Sequence, residues 1–280
     1  MTYQIPEITL HDGVQIPAVG FGTYKLKGQQ GAQAINTAIT NGYRLIDTAY
    51  NYENEATVGE AVRRSSVPRE ELVITSKLPG RYHHYDDAIV TIQESLFRAN
   101  LDYYDLYLIH WPNPIQDNYV EAWQALIDAQ KFGYIRSIGV CNFLPEHLER
   151  LEKETGILPT VNQIELHPRF NQAEQLKWDT DHQIVTESWS PLSRASDLLQ
   201  DETLQKIAEK HHKTISQIIL RWHYQLGAVA IPKSASPVRQ KENISIFDFE
   251  LSNEEMTIIN SFTKTDGRLK DQDPAVYEEF

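Results

Sequence analysis

What most limits the fold of this 280-residue chain is an alternation of short β-like runs and helical runs that continues from residue 19 to residue 231. Residues 19–24 read as a Gly-containing strand, and residues 29–41 follow with Ala32, Ile35 and Ile39 at helical spacing. Further strands are predicted at 44–47, 72–77, 104–110, 135–140, 160–165, 184–189 and 228–231, with helical patterns running between them. Strands that alternate with helices imply a parallel sheet covered by helices, and eight βα units in a chain of this length predict a closed (β/α)8 TIM barrel. A doubly wound open sheet ranks second. Against it, Gly20-Phe-Gly22 continues as Thr-Tyr-Lys-Leu and lacks the third glycine of a dinucleotide fingerprint.

The ends of the chain add to that barrel. Residues 8–10 and 14–16 flank Asp12-Gly13 and predict an N-terminal β-hairpin. Residues 252–262 predict one extra helix, and the polar segment 263–280 predicts a C-terminal tail laid across the barrel mouth. All of 1–280 then forms one domain.

Composition narrows the partners. A net charge of −13 and a pI near 5.2 leave no basic stripe for nucleic acid or an anionic membrane. Cys141 is the lone cysteine, which excludes an intrachain disulfide framework. The opening Met-Thr-Tyr-Gln-Ile-Pro has no leader character and no run reaches membrane-spanning length, so a soluble cytoplasmic protein, read as a monomer acting on a small molecule, is expected.

A barrel of this type carries its site at the C-terminal ends of its strands. Those ends hold Gly22 and Thr23, Asp47, Lys77, His110, Asn142, Gln163 and Glu165, Trp189 and Ser190, and Lys233 and Ser234. The opposite ends show no comparable set. The second unit is the most informative: strand 44–47 ends at Asp47, a loop carries the phenols Tyr50 and Tyr52, and a helix begins near Asn54 with Glu53 and Glu55 at its positive end. Lys77, directly after Leu-Val-Ile-Thr-Ser, needs an anionic partner once desolvated, and Asp47 on the neighbouring strand is the candidate. Such a pair beside a phenol is expected to lower the tyrosine pKa toward a value useful for proton donation. Spacing does not separate Tyr50 from Tyr52.

Other residues have plainer readings. His83-His84 and His211-His212 lack metal-ligand spacing and read as surface residues, and His167 reads as a structural loop histidine. Trp123, Trp178 and Trp222 lie in helical patterns and read as packing. No metal site is predicted.

Over nearly its whole length the chain resembles the aldo-keto reductase superfamily, in the branch of aldose reductase and 2,5-diketo-D-gluconate reductase. The resemblance lies in Gly42-Tyr-Arg-Leu-Ile-Asp-Thr-Ala with Glu55 and Gly59, in Arg136-Ser-Ile-Gly-Val-Cys-Asn-Phe143, and in Ile231-Pro-Lys-Ser with Arg239, Glu242 and Asn243. It implies a catalytic tetrad of Asp47, Tyr52, Lys77 and His110, and so chooses Tyr52 over Tyr50. NADPH would deliver hydride to a carbonyl carbon while Tyr52 donates the proton, Lys77 makes the phenol acidic, Asp47 neutralises Lys77, and His110 orients the carbonyl.

The same resemblance places Asn142 and Gln163 on the nicotinamide carboxamide and stacks Trp189 on its ring, with Gly22 and Thr23 also against the cofactor. Ser190 and Leu192 border the pyrophosphate, Lys233, Ser234 and Arg239 surround the 2′-phosphate, and Glu242 and Asn243 contact adenine. Two cations and a hydroxyl suit a phosphate, so NADPH is the expected cofactor. Cys141 stands where the family commonly has a serine, and where that serine supplies a hydrogen bond a thiol would supply a weaker one.

Tyr24, Asn51 and Trp111 are expected to line the substrate pocket, with Tyr24 in place of a tryptophan of aldose reductase. A short loop after His110 and a modest tail imply an open mouth for small aldehydes, dicarbonyls or keto-sugars. A non-catalytic, NADPH-sensing regulatory subunit of the same fold is the alternative from another functional class, and the intact tetrad weighs against it.

Overall fold

The computed structural model describes residues 5–195, 197–270 and 272–280. The first four residues, on which part of the leader argument rests, lie outside these. Strands β1 (Glu7–Thr9) and β2 (Gln15–Pro17) form the antiparallel N-terminal hairpin. The sheet strands are β3 (Gly20–Gly22), β4 (Leu45–Asp47), β5 (Val73–Leu78), β6 (Tyr104–Ile109), β7 (Ile135–Cys141), β8 (Val161–Glu165), β9 (Val185–Trp189) and β10 (Val229–Ala230). They pair in parallel in sequence order, and a bridge from Val19 to Ala230 closes the eight-stranded sheet into a barrel.

The helices around it are α1 (Gly28–Thr40), α2 (Glu55–Arg63), α3 (Tyr85–Ala99), α4 (Tyr119–Lys131), α5 (Pro145–Thr155), α6 (Ala173–Asp181), α7 (Glu202–His211) and α8 (Ile215–Gln225). Beyond β10 come α9 (Pro237–Ile244) and α10 (Asn253–Asn260). The extra helix expected near the C-terminus is therefore α10. By contrast, α9 was absent from the sequence reading. It is short and polar and starts with Pro237, a residue that reads as a loop signal but fits the first helical turn, where its missing N–H is not needed.

Strand periodicity sorts the buried residues into two cores. Ile46, Tyr107, Ile109, Ile138 and Val140 pack outward against helix residues such as Ile35, Ile92 and Trp123. Leu45, Leu106, Leu108, Cys141, Val161 and Val229 point into the barrel, where Leu10 and Ile16 of the hairpin region join them. The interior is thus apolar at the hairpin end and turns polar at the other, with Asp47, Lys77, Gln163 and Glu187 all buried. Gly59 lets α2 lie on α3: a Cβ there would stand 1.7 Å from the carbonyl oxygen of Ala99.

Glu55 stands in the first turn of α2 as expected and is buried there: its Oε1 accepts from Ser76 Oγ at 2.6 Å and Ser95 Oγ at 2.5 Å, and burial pushes its carboxyl above the ordinary range. Two local expectations change in the fold. His83 is buried rather than at the surface, with neither ring nitrogen bonded among the described residues, and burial pushes its pKa down to about 4. His211 is partly buried, with Nε2 3.1 Å from Glu255. Trp123 and Trp222 are core residues, and Trp178 stacks on His182. His167 is buried, with Nε2 2.9 Å from Glu165 Oε1. Among the described residues no helix is long and apolar enough to cross a membrane.

Candidate active site

Asp47 and Lys77 come together because adjacent parallel strands set their register. Asp47 pairs with Thr75, and Lys77, two residues further along β5, shares the inward phase. Lys77 Nζ donates to Asp47 Oδ2 at 2.6 Å and to the Thr48 carbonyl at 2.8 Å, and its side chain is fully buried. Burial works against the ammonium, but the Asp47 charge and the surrounding groups outweigh it and hold the Lys77 pKa above its ordinary value.

The network reaches deeper. Gln163 Nε2 donates to Asp47 Oδ2 at 2.9 Å and to Glu187 Oε2 at 2.8 Å. Cys141, Gln163 and Glu187 are paired across β7, β8 and β9, so one layer of the barrel links these strands to Asp47. Burial, then repulsion from Asp47, pushes the Glu187 carboxyl up to about 7. Burial also pushes the Cys141 thiol up, so it stays protonated.

Tyr52 lies on the single 3-10 turn that follows β4. Lys77 Nζ is 5.3 Å from the centre of its ring, and the rings of Tyr24 and His110 meet it edge-on at 5.1 and 6.0 Å. Tyr50 turns away: its hydroxyl accepts from Arg98 at 2.7 Å, and its ring packs on Tyr82. The expectation of a lowered phenol pKa does not hold. Burial raises the Tyr52 pKa, Lys77 pulls it down, and Asp47, Cys141 and Glu279 add to the rise, so the hydroxyl holds its proton.

His110 follows β6, with its N–H donating to Leu78 O at 2.9 Å and its carbonyl accepting from Asn142 Nδ2 at 3.0 Å. Asn142 occupies the left-handed region at φ 62°, which asparagine tolerates better than most residues, and its Oδ1 accepts from Trp189 Nε1 at 2.8 Å. Gln163 has spent its Nε2 on two carboxylates, so Oε1 is the group it has left. Thr23 is buried, and its hydroxyl donates to the Asp47 carbonyl at 2.9 Å. Gly22 packs so tightly that a Cβ would lie 3.3 Å from Ile231 O. Ser190 has φ 50° and begins the turn to Ser193, and Leu192 packs against buried apolar residues including Leu198 and Leu220.

At the far side of the mouth, Lys233 and Arg239 are exposed and have no ion-pair partner among the described residues. Ser234 is buried and receives the Ser236 N–H on its hydroxyl at 3.1 Å. Ser236 caps α9, the helix that carries Arg239, Glu242 and Asn243. Of the pocket candidates, Tyr24 is half exposed, Trp111 packs on Tyr277 with ring centres 4.5 Å apart, and Asn51 bonds both Arg81 and Glu279.

Sequence reasoning missed Glu279. Its Oε1 lies 2.7 Å from His110 Nδ1, although 169 residues separate the two in the chain. Only an acidic tail marked it. The tail does cross the mouth: Leu269 N donates to Glu165 Oε1 at 2.6 Å at one side and Glu279 N to Asn113 Oδ1 at 3.0 Å at the other. A cavity of about 560 Å³ beside the mouth, lined by residues including Arg81, Arg98, Tyr277 and Glu279, borders the site without reaching Asp47 or Lys77.

The sequence profile described as Aldo/keto reductase family matches residues 18–264. The chain belongs to the aldo/keto reductase family. It is 50% identical over 275 residues to 2,5-diketo-D-gluconic acid reductase B of Corynebacterium sp. (strain SHS752001), covering 98% of this chain and 99% of that one. It is 47% identical over 258 residues to glyoxal reductase of Bacillus subtilis (strain 168), covering 92% of each. Among solved structures, a Gox0644 variant in complex with NADPH superposes with a TM-score of 0.93 at 40% identity, covering 99% of this chain and 100% of that one. The resemblance seen in the sequence, the barrel and the oxidoreductase class all stand with these relatives.

Proposed function

We propose that this aldo/keto reductase uses NADPH to reduce small dicarbonyl, keto-sugar and aldehyde substrates to alcohols. The observation that carries the proposal is the buried Lys77–Asp47 pair beside a protonated Tyr52 at the strand ends. The residues present fit the cofactor: Gln163 Oε1 and the second N–H of Asn142 Nδ2 are left for a carboxamide, the Trp189 indole is tethered beside them, and Lys233 before α9 and Arg239 in its first turn have no ion-pair partner among the described residues.

NADPH, when bound, supplies the hydride that goes to the carbonyl carbon. The protein supplies the proton and the charge balance. Tyr52 gives its hydroxyl proton to the carbonyl oxygen, Lys77 stabilises the phenolate left behind, and solvent restores the proton. Asp47 keeps Lys77 charged, and Gln163 and the Thr48 carbonyl hold that pair in place. His110 orients the carbonyl oxygen. Ser190 and Leu192 take the pyrophosphate side, with Gly22 and Thr23 against the cofactor. Lys233, Ser234 and Arg239 take the 2′-phosphate, and Glu242 and Asn243 the adenine. Tyr24, Asn51 and Trp111 line the substrate side.

The names of the two relatives support the substrate class, since a diketo acid and glyoxal are both dicarbonyl compounds. A monomeric enzyme of the cytoplasm completes the proposal, supported by the acidic composition and the buried lone thiol. The test is loss of 340 nm absorbance with NADPH, and separately with NADH, against methylglyoxal, a simple aldehyde and a keto-sugar. Turnover that collapses in Tyr52→Phe is expected. Tight NADPH binding without turnover of any carbonyl would replace the proposal with the regulatory alternative.

A further inference from the structure

We propose that Glu279 is the positioning residue of His110, and that the segment beyond α10 is thereby a working part of the reductase site. The inference rests on the reading that His110 orients the substrate carbonyl.

The tail is fastened to the loop that carries His110. Asn113, fully buried, brackets the backbone of Glu279 from both sides: its Nδ2 donates to Glu279 O at 2.9 Å, and its Oδ1 accepts from Glu279 N at 3.0 Å. Ile115 N donates to Glu278 Oε1 at 2.7 Å, and Tyr277 packs on Trp111. So anchored, the Glu279 side chain turns inward and is almost fully buried. Its Oε1 accepts from Asn51 Nδ2 at 2.8 Å and meets His110 Nδ1 at 2.7 Å, and its Oε2 accepts from Gly80 N at 3.1 Å. Three strand-end loops, those after β4, β5 and β6, converge on one carboxylate from the tail. Gly80 makes the approach possible, because a Cβ there would lie 2.3 Å from Asn113 Nδ2.

A carboxylate out of water is retained as an anion only where charge and donors surround it. Burial pushes the Glu279 carboxyl up, but His110 and the Gly80 and Asn51 donors hold it below the ordinary carboxylate range. It is therefore an anion aimed at one ring nitrogen. The partner of one imidazole nitrogen decides what the other can do. A carboxylate at Nδ1 draws a ring proton to that side and fixes the ring, leaving Nε2 to face the carbonyl oxygen. When the ring is protonated, both nitrogens donate, Nδ1 to Glu279 and Nε2 to the substrate. His110 Nδ1 makes no aligned hydrogen bond among the described residues, and the Glu279 oxygen 2.7 Å away is the group it faces.

The test uses the full chain with NADPH and methylglyoxal, comparing Glu279→Ala, Glu279→Gln and Glu278→Ala with wild type. NADPH affinity and the unfolding midpoint are measured alongside. Glu279→Ala is expected to lower kcat by about tenfold or more while NADPH affinity holds, because a mis-set catalytic group costs rate rather than cofactor binding. Glu279→Gln, which keeps an acceptor oxygen of the same shape, restores part of the loss. Glu278→Ala, which loosens the tail without touching the ring, stays within about twofold of wild type. In 15N spectra, the His110 ring resonances, assigned by difference with His110→Asn, change in Glu279→Ala and not in Glu278→Ala. Unchanged kcat in Glu279→Ala overturns the proposal. So does a rise in kcat, which would make the tail a plug, or an equal loss in Glu278→Ala, which would make tail docking itself the cause. Activity surviving Tyr52→Phe would instead sink the reductase mechanism, a separate failure.

Discussion

The two sides of the barrel mouth hold their cations in opposite ways. Lys77 lies in the buried interior, bonded to Asp47 and tied through Gln163 to Glu187. Lys233 and Arg239 lie in water with no carboxylate partner among the described residues. An ammonium buried without its partner would cost several kcal/mol, so the first arrangement is part of the fold as much as of the chemistry. Solvated cations cost the fold almost nothing, and their value appears only when an anion binds. One side should therefore fail in stability and turnover together, and the other in affinity alone.

The largest effect is expected from Lys77→Met. Leaving Asp47 as an unpaired buried charge should cost roughly 3–5 kcal/mol in denaturant unfolding and lower turnover by a factor of about 10³ or more. Adding Asp47→Asn should recover most of the stability and none of the turnover. If Lys77→Met lost activity with an unchanged midpoint, the contrast between the two sides would break.

On the other side, Lys233→Ala with Arg239→Ala should weaken NADPH binding by about 10- to 100-fold, as expected for charge-assisted bonds to a phosphate. NADH binding and the unfolding midpoint should stay close to wild type, which titration and thermal melting would show. A midpoint that fell with affinity would mean that these cations also hold the fold.

Glu187→Gln sharpens the description of the interior. The Glu187 carboxyl stands at about 7 in the fold against an ordinary 4.5. Between those values the native state binds more protons than the unfolded chain, so this group takes stability away as pH rises through that window. The cost reaches the order of 3 kcal/mol above pH 7 and vanishes below about pH 4.5. The glutamine variant should therefore be more stable than wild type at pH 8 and equal to it near pH 4.5, as denaturant curves at the two pH values would record. A gain of the same size at both would refute the linkage.

The smallest effect is expected where an ion pair is exposed. Glu60 holds Arg63 and Arg64 on the surface of α2, and Glu60→Ala should leave the unfolding midpoint unmoved within error. A clear shift there would mean that burial is not what separates Lys77 from the surface pairs.

Much of this contrast was visible before the fold was known. An ammonium placed after five largely apolar residues asks for a buried anion, and the only strand-end carboxylate beside it in the predicted order was Asp47. His83 was misread because adjacent histidines look solvated, whereas the 3-10 turn after β5 directs this ring inward. The helix α9 was passed over because proline and polar residues resemble a loop until the capping Ser236 is seen.

By itself, the sequence determined the order of strands and helices, the barrel that follows from that order, and which residues stand at the strand ends. Apolar runs and period-two alternation are local properties, and parallel connections admit few topologies. The family resemblance had already chosen Tyr52 over Tyr50 where local spacing did not; only the tertiary structure decided that Gln163 bridges two carboxylates and that Glu279 meets His110. Contacts of this kind are set by barrel closure and tail docking, which bring together residues up to 228 positions apart, as Asn51 and Glu279 are, and no local pattern encodes the direction in which such side chains meet.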